Sequence, residues 1–207
     1  MQENDRCNSN KVIKRTKKED ISLKFQNLAA DIGDLHIKLF ADASLGNIEE
    51  EHLTKSAMGY FIALCNNSST FNPIHWKARV IDKVAQDIKT AETLALEIAL
   101  DDCVYISNFL SEIYYGPKSE MRIPIYIYDD SKSLIQSLFS TKKVKRKTMR
   151  VVVSRIQQLL KDQTIVDAVH VKTKDQIADI LTKQGVSNQK IVQTLREGKI
   201  SFSEDLA

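Results

Sequence analysis

The chain has 207 residues, 43% of them hydrophobic and 28% charged, with a net charge of +3. These are ordinary values for one domain with a real apolar core plus extensions, and the charge is too small to argue for a polyanionic partner by itself. No run approaches the roughly 18 apolar residues that span a bilayer, so no membrane partner is expected.

The first twenty residues (MQENDRCNSNKVIKRTKKED) are polar and lack the apolar core of a signal peptide, which leads to an intracellular location, cytoplasmic or nuclear. Cys7, Cys65 and Cys103 are odd in number and far apart, as reduced thiols are, and Cys103 is expected in the core. With His36, His52, His75 and His170 they show no zinc-type spacing.

Residues 1–34 read as an N-terminal extension, with a basic run and then a short strand-like segment (ISLKFQNL) before a break at Gly33. From Leu35 the alternation is clear. In LHIKLFADAS, Leu35, Ile37, Leu39 and Ala41 face one way, and His36, Lys38, Phe40 and Asp42 the other. GYFIALCN and PIHWKA follow as second and third strands, an antiparallel meander. Tyr60 and Trp76 on these strands could stack on nucleic acid or lie in the core. From Ala85 to Tyr115 the period turns helical, and Gly116-Pro117 ends it. RIPIYIYD is almost wholly apolar, as a strand buried on both faces would be. SKSLIQSLF and RVVVSRIQQLLK read as helices and TIVDAVHV as a fifth strand. A closing helix is predicted from Thr173, which with Gln176 would form a capping box. Residues 35–183 form the domain so defined, and 184–207 a polar tail with one weak helix (NQKIVQTLREG). The order β-β-β-α-β-α-α-β-α predicts a mixed five-stranded sheet flanked by helices, an α/β (α+β) fold.

Four carboxylates sit where solubility does not explain them. Asp42 ends the first strand, Glu92 lies in the apolar first helix, Asp129 ends the buried fourth strand, and Asp179 is set among Ile177, Ala178, Ile180 and Leu181. An unpaired buried carboxylate costs several kcal/mol, so each needs a partner. Private salt bridges or caps would serve for any one of them. For all four together, convergence on bound cations is the more economical solution. Hard oxygen ligands suit Mg²⁺, and two such ions can activate water and stabilise the leaving oxygen of a phosphodiester.

This order of acids resembles the ribonuclease H superfamily and, more narrowly, the ribonuclease H region of copia-type retrotransposon Pol polyproteins. The resemblance rests on FADASLGN, Met58-Gly59-Tyr60, PIHWKAR, TAETLAL, YDDSKSL and above all VKTKDQIADILTK. It implies that residues 1–34 are a remnant of the end of a reverse transcriptase region. It also implies that Asp42, Glu92, Asp129 and Asp179 are catalytic and hold two Mg²⁺ ions, with Mn²⁺ as substitute. The implied substrate is the RNA strand of an RNA–DNA hybrid, and the implied partner is the polymerase portion of the same polyprotein. Lys142, Lys143, Lys145, Arg146, Lys147 and Arg150 are the candidate phosphate grip, or else a solvated loop and helix start. The chain departs from the family in carrying Asp130 where Asn is more usual, and in lacking a clear counterpart of the mobile His of cellular ribonucleases H. Three other readings compete: a non-catalytic nucleic-acid-binding copy that keeps the fold, an integrase or resolvase of the same superfamily, and a generic interaction module. Scattered acids would favour the last.

Overall fold

The computed structural model describes residues 23, 25–28, 32–50, 53–142, 144, 146–183 and 189–203. Five strands, β1 (His36–Glu50), β2 (Leu53–Cys65), β3 (Phe71–Val80), β4 (Ile125–Asp129) and β5 (Ile165–His170), form one mixed sheet in the order β3-β2-β1-β4-β5. β1, β2 and β3 make the antiparallel meander read from the sequence, while β4 and β5 run parallel to β1. The helices are α1 (Ile88–Tyr115), α2 (Lys132–Phe139), α3 (Lys147–Lys161), α4 (Asp179–Thr182) and α5 (Gln189–Glu197).

The alternation in β1 sorts its side chains into two separate cores. Ile37, Leu39 and Ala41 pack with Leu96, Leu100 and Cys103 of α1 and with residues of α2 and α3. Phe40 instead joins Phe61, Tyr128, Ile177 and Ile200 on the opposite face, against which Ile191 and Leu195 of α5 pack. The central strand is thus buried on both sides, which explains why β4 beside it is almost wholly apolar.

Helix α1 starts three residues later than periodicity predicts, because Asp87 is the better cap. Its carboxylate accepts from the Thr90 backbone N–H at 2.8 Å. Gly116 ends the helix at φ 89°, a conformation in which a side chain is strained. Two buried serines tie the second half of α1 to the approach of β4. Ser107 donates to the Ile123 carbonyl at 2.6 Å, and the Ile123 N–H donates to Ser111 Oγ at 2.9 Å. Ser111→Ala strands that buried N–H, and urea denaturation should show a loss of about 1–3 kcal/mol. An unchanged midpoint would mean the N–H finds another acceptor.

Two expectations need correcting. The described residues of the segment before Gly33 (Leu23 and Phe25–Leu28) form no strand. The side-chain amide of Asn72 brackets the Gln26 backbone instead, accepting from its N–H at 2.6 Å and donating to its carbonyl at 3.0 Å. The capping box of Thr173 and Gln176 does not form either. Residues Thr173–Asp175 make a 3-10 turn, and α4 begins only at Asp179. Gln176 turns inward, donating to the Ala41 carbonyl at 2.9 Å and accepting from the Ala178 N–H. A buried long-range bond outcompetes a local one on the surface. Cys65 and Cys103 are buried free thiols, and Cys7 lies outside the described residues.

Candidate functional site

β1 and β4 pair as far as Phe40 and Tyr128. Beyond that pair β4 ends at Asp129 while β1 runs on beside β2 to Glu50, so Asp42 lies inside its strand and does not end it as expected. The acids gather where the parallel pairing stops, at the carboxyl end of β4. Asp42 lies two residues past Phe40, opposite Gly59 of β2. Its carboxylate accepts from the Thr182 hydroxyl of α4. Gly59 makes this approach possible, since a Cβ there would collide with Leu181 and crowd Thr182. Asp175 anchors the same segment from behind, accepting from Lys190 at 3.0 Å and from the Ser203 backbone and hydroxyl.

Asp42, Asp130 and Asp179 each place a carboxylate oxygen within 4.8 Å of the others'. Of the four acids read from the sequence, only Asp42 and Asp179 belong to this trio. Asp129 is buried at the end of β4 and accepts from the Ser131 N–H at 2.8 Å. Glu92 is half-buried and hydrogen-bonded to Ser131, so α2's capping segment joins it to Asp129. Asp130, marked in the sequence only as an extra charge, is the residue that joins Asp42 and Asp179.

The electrostatics follow from crowding and burial. Burial pushes the Asp42 carboxyl up to about 7, opposed by the Thr182 hydroxyl and the Lys183 ammonium. Burial, with the neighbouring Glu92, Asp130 and Asp42, also drives Asp129 well above the usual carboxylate range despite its bond to Ser131. Glu92 is raised by burial and by Asp130. Such acids are held together against their mutual repulsion, and a cation relieves the strain. Lys183 supplies one positive charge, 2.7 Å from Asp179 Oδ1 and 3.8 Å from Asp42 Oδ1. Burial works against its charge, but its bond to Asp179 and the surrounding carboxylates outweigh this and raise its pKa. The all-oxygen, carboxylate-only donor set fits a hard divalent ion.

The basic run divides. Lys142, Lys147 and Arg150 are exposed, although Arg150 also donates to the Val144 carbonyl at 3.0 Å. Arg146 is committed internally, 2.8 Å from Asp87 Oδ2 and 2.6 Å from Thr90 Oγ1. Lys143 and Lys145 lie outside the described residues. The Arg146 contacts dock this segment on the first turn of α1, next to the turn that carries Glu92. Tyr60 is fully buried, with its hydroxyl bonded to Asp102 and 3.1 Å from His75 Nε2, so it offers no stacking face. Trp76 is 49% exposed and edges an apolar groove of about 210 Å³ beside Leu181 and Leu195. A cleft of about 370 Å³ bordered by Lys174, Gln176 and Lys190 opens next to Asp179. No helix among the described residues is long and apolar enough to cross a membrane.

No family model and no curated protein matches the sequence. Solved structures do. LC11-RNase H1, isolated from compost by a metagenomic approach, aligns with a TM-score of 0.50 at 17% identity, over 71% of this chain and 92% of that one. RNase H1 of the archaeon Halobacterium salinarum aligns at 0.47 and 17%, over 71% and 94%. A foamy viral protease-reverse transcriptase aligns at 0.48 and 20%, over 75% and 97%. At such identity the likeness is one of architecture. The strand order, the parallel β1–β4 pair and the alignment with the compost protein give this chain the ribonuclease H-like fold.

Proposed function

We propose that the chain is a metal-dependent ribonuclease H that hydrolyses the RNA strand of RNA–DNA hybrids, and that it comes from a copia-type retrotransposon polyprotein. The observation that carries the activity is the gathering of Asp42, Asp130 and Asp179 where the parallel pairing of β1 and β4 stops, with Asp129 and Glu92 bordering them. The origin rests on the sequence motifs, VKTKDQIADILTK foremost.

In this reading Asp42, Asp130 and Asp179 hold one divalent ion, and Glu92 and Asp129 contribute to a second. Mg²⁺, or Mn²⁺ in its place, would supply an activated water and neutralise charge on the leaving oxygen. The protein's own share is positioning. Thr182 orients the Asp42 carboxylate, and Ser131 orients both Asp129 and Glu92. The exposed cations Lys142, Lys147 and Arg150, with Lys143 and Lys145, would grip the duplex backbone. Duplex shape and 2′-OH contacts, rather than base sequence, would select the hybrid. The polymerase portion of the polyprotein would be the covalent neighbour.

The deciding experiment is cleavage of an end-labelled RNA–DNA hybrid in Mg²⁺ and in Mn²⁺, with Asp129→Asn alongside. Metal-dependent cutting of the RNA strand that the variant loses is the expected result. Hybrid binding without cutting in either metal would instead identify a binding domain that keeps the fold.

A further inference from the structure

Lys183 holds a position that the proposed chemistry does not use. It is the residue at which α4 ends, its backbone fixed by an N–H···O bond to Asp179 at 3.0 Å. From there its side chain folds back into the acid trio, bonding Asp179 Oδ1 at 2.7 Å and lying 3.8 Å from Asp42 Oδ1. These are two of the three carboxylates that approach within 4.8 Å of one another. A cation seated between Asp42 and Asp179 draws on the oxygens that the ammonium already faces. The ammonium and such an ion would need the same oxygens of Asp42 and Asp179, and with no anion between them they would repel, so one gives way to the other. The ammonium is also tethered, so it meets these carboxylates at a high effective concentration whatever the salt in solution.

We propose that Lys183 is a built-in competitor for the divalent ion, taking the same two carboxylates and leaving them when the ion binds. This rests on the metal-site reading above and adds a consequence to it. The lysine keeps three crowded acids compact at low divalent concentration and sets the concentration at which the ion takes over. An ordinary surface ion pair between residues four apart on a helix would have neither effect, because it would not involve Asp42 from the far end of the domain.

The test is isothermal titration of Mn²⁺ into the full chain without nucleic acid, for the wild type, Lys183→Gln and Lys183→Arg. Removal of the charge should tighten Mn²⁺ binding by about ten-fold, while arginine, which keeps the charge, should stay within about two-fold of wild type. Thermal melting gives an independent readout, because an ion that binds only the folded state raises the melting temperature with the logarithm of its concentration over Kd. Lys183→Gln should melt below wild type in EDTA and gain more from the same Mn²⁺ concentration. Equal or weaker Mn²⁺ binding by a folded Lys183→Gln protein overturns the role of Lys183 and leaves the metal site standing. Absence of Mn²⁺ binding in all three proteins overturns both.

Discussion

Asp42→Asn is expected to abolish hybrid cleavage, with a fall on the order of 10³-fold or more, and yet to melt higher than wild type at alkaline pH in EDTA. The loss follows from removing a carboxylate from the trio that would hold the ion. The gain follows from the cost of burying that carboxylate. Burial pushes the Asp42 carboxyl up to about 7, from an ordinary 3.8. Between about pH 4 and 7 the unfolded chain therefore gives up a proton that the folded protein keeps, and the fold loses stability as pH rises through this window. Asparagine carries no such penalty, and its carbonyl oxygen can still accept from Thr182. The difference in melting temperature should vanish towards pH 4 and be complete by about pH 8. Added Mg²⁺ should stabilise the wild type far more than the variant. A variant that melts below wild type at alkaline pH would mean that the pairing of Asp42 with Lys183 outweighs its burial.

The second large effect concerns a residue without a side chain. Gly59→Val improves strand propensity yet should cost about 3 kcal/mol in urea denaturation, because the added methyls must displace Leu181 and Thr182. Cleavage should fall further than stability explains, since α4 carries Asp179 and Thr182 together. The milder Gly59→Ala tests the same point, for even one Cβ meets Leu181. A Gly59→Val protein of wild-type stability would show that α4 can shift outward freely.

Much of the sheet was legible because its signals are local. The alternation in β1, the apolar run of β4 and the long helical period of α1 each reflect burial imposed on neighbouring residues. Asp42, Glu92, Asp129 and Asp179 stood out for the same reason, as charges set in apolar surroundings. What stayed hidden depends on distant partners. Thr173 and Gln176 spell a capping box, but Gln176 finds the Ala41 carbonyl 135 residues away. Asp130 looked like added charge beside Asp129. The Asp130 carboxylate reaches Asp179 in the turn after β4, where the Asp129 carbonyl accepts from the N–H of Val171, just past β5, at 3.0 Å. Arg146 read as a phosphate ligand, whereas Asp87 and Thr90 claim it, and nothing in KKVKRK tells one cation from the next.

The position of α4 in the chain has a consequence for timing. Four residues cannot sustain a helix alone, and this one is held by Gly59, by the Gln176 bond to β1 and by the Asp175 anchor to Lys190 and Ser203. All of these contacts need residues beyond 174, and the anchor needs residue 203. During synthesis the sheet and α1 can therefore fold around their own core while the acid trio still lacks Asp179. A ribosome-bound chain would then carry a folded sheet with an incomplete acid trio, and the proposed site would assemble only after residues 175–203 have emerged and packed against the central strands.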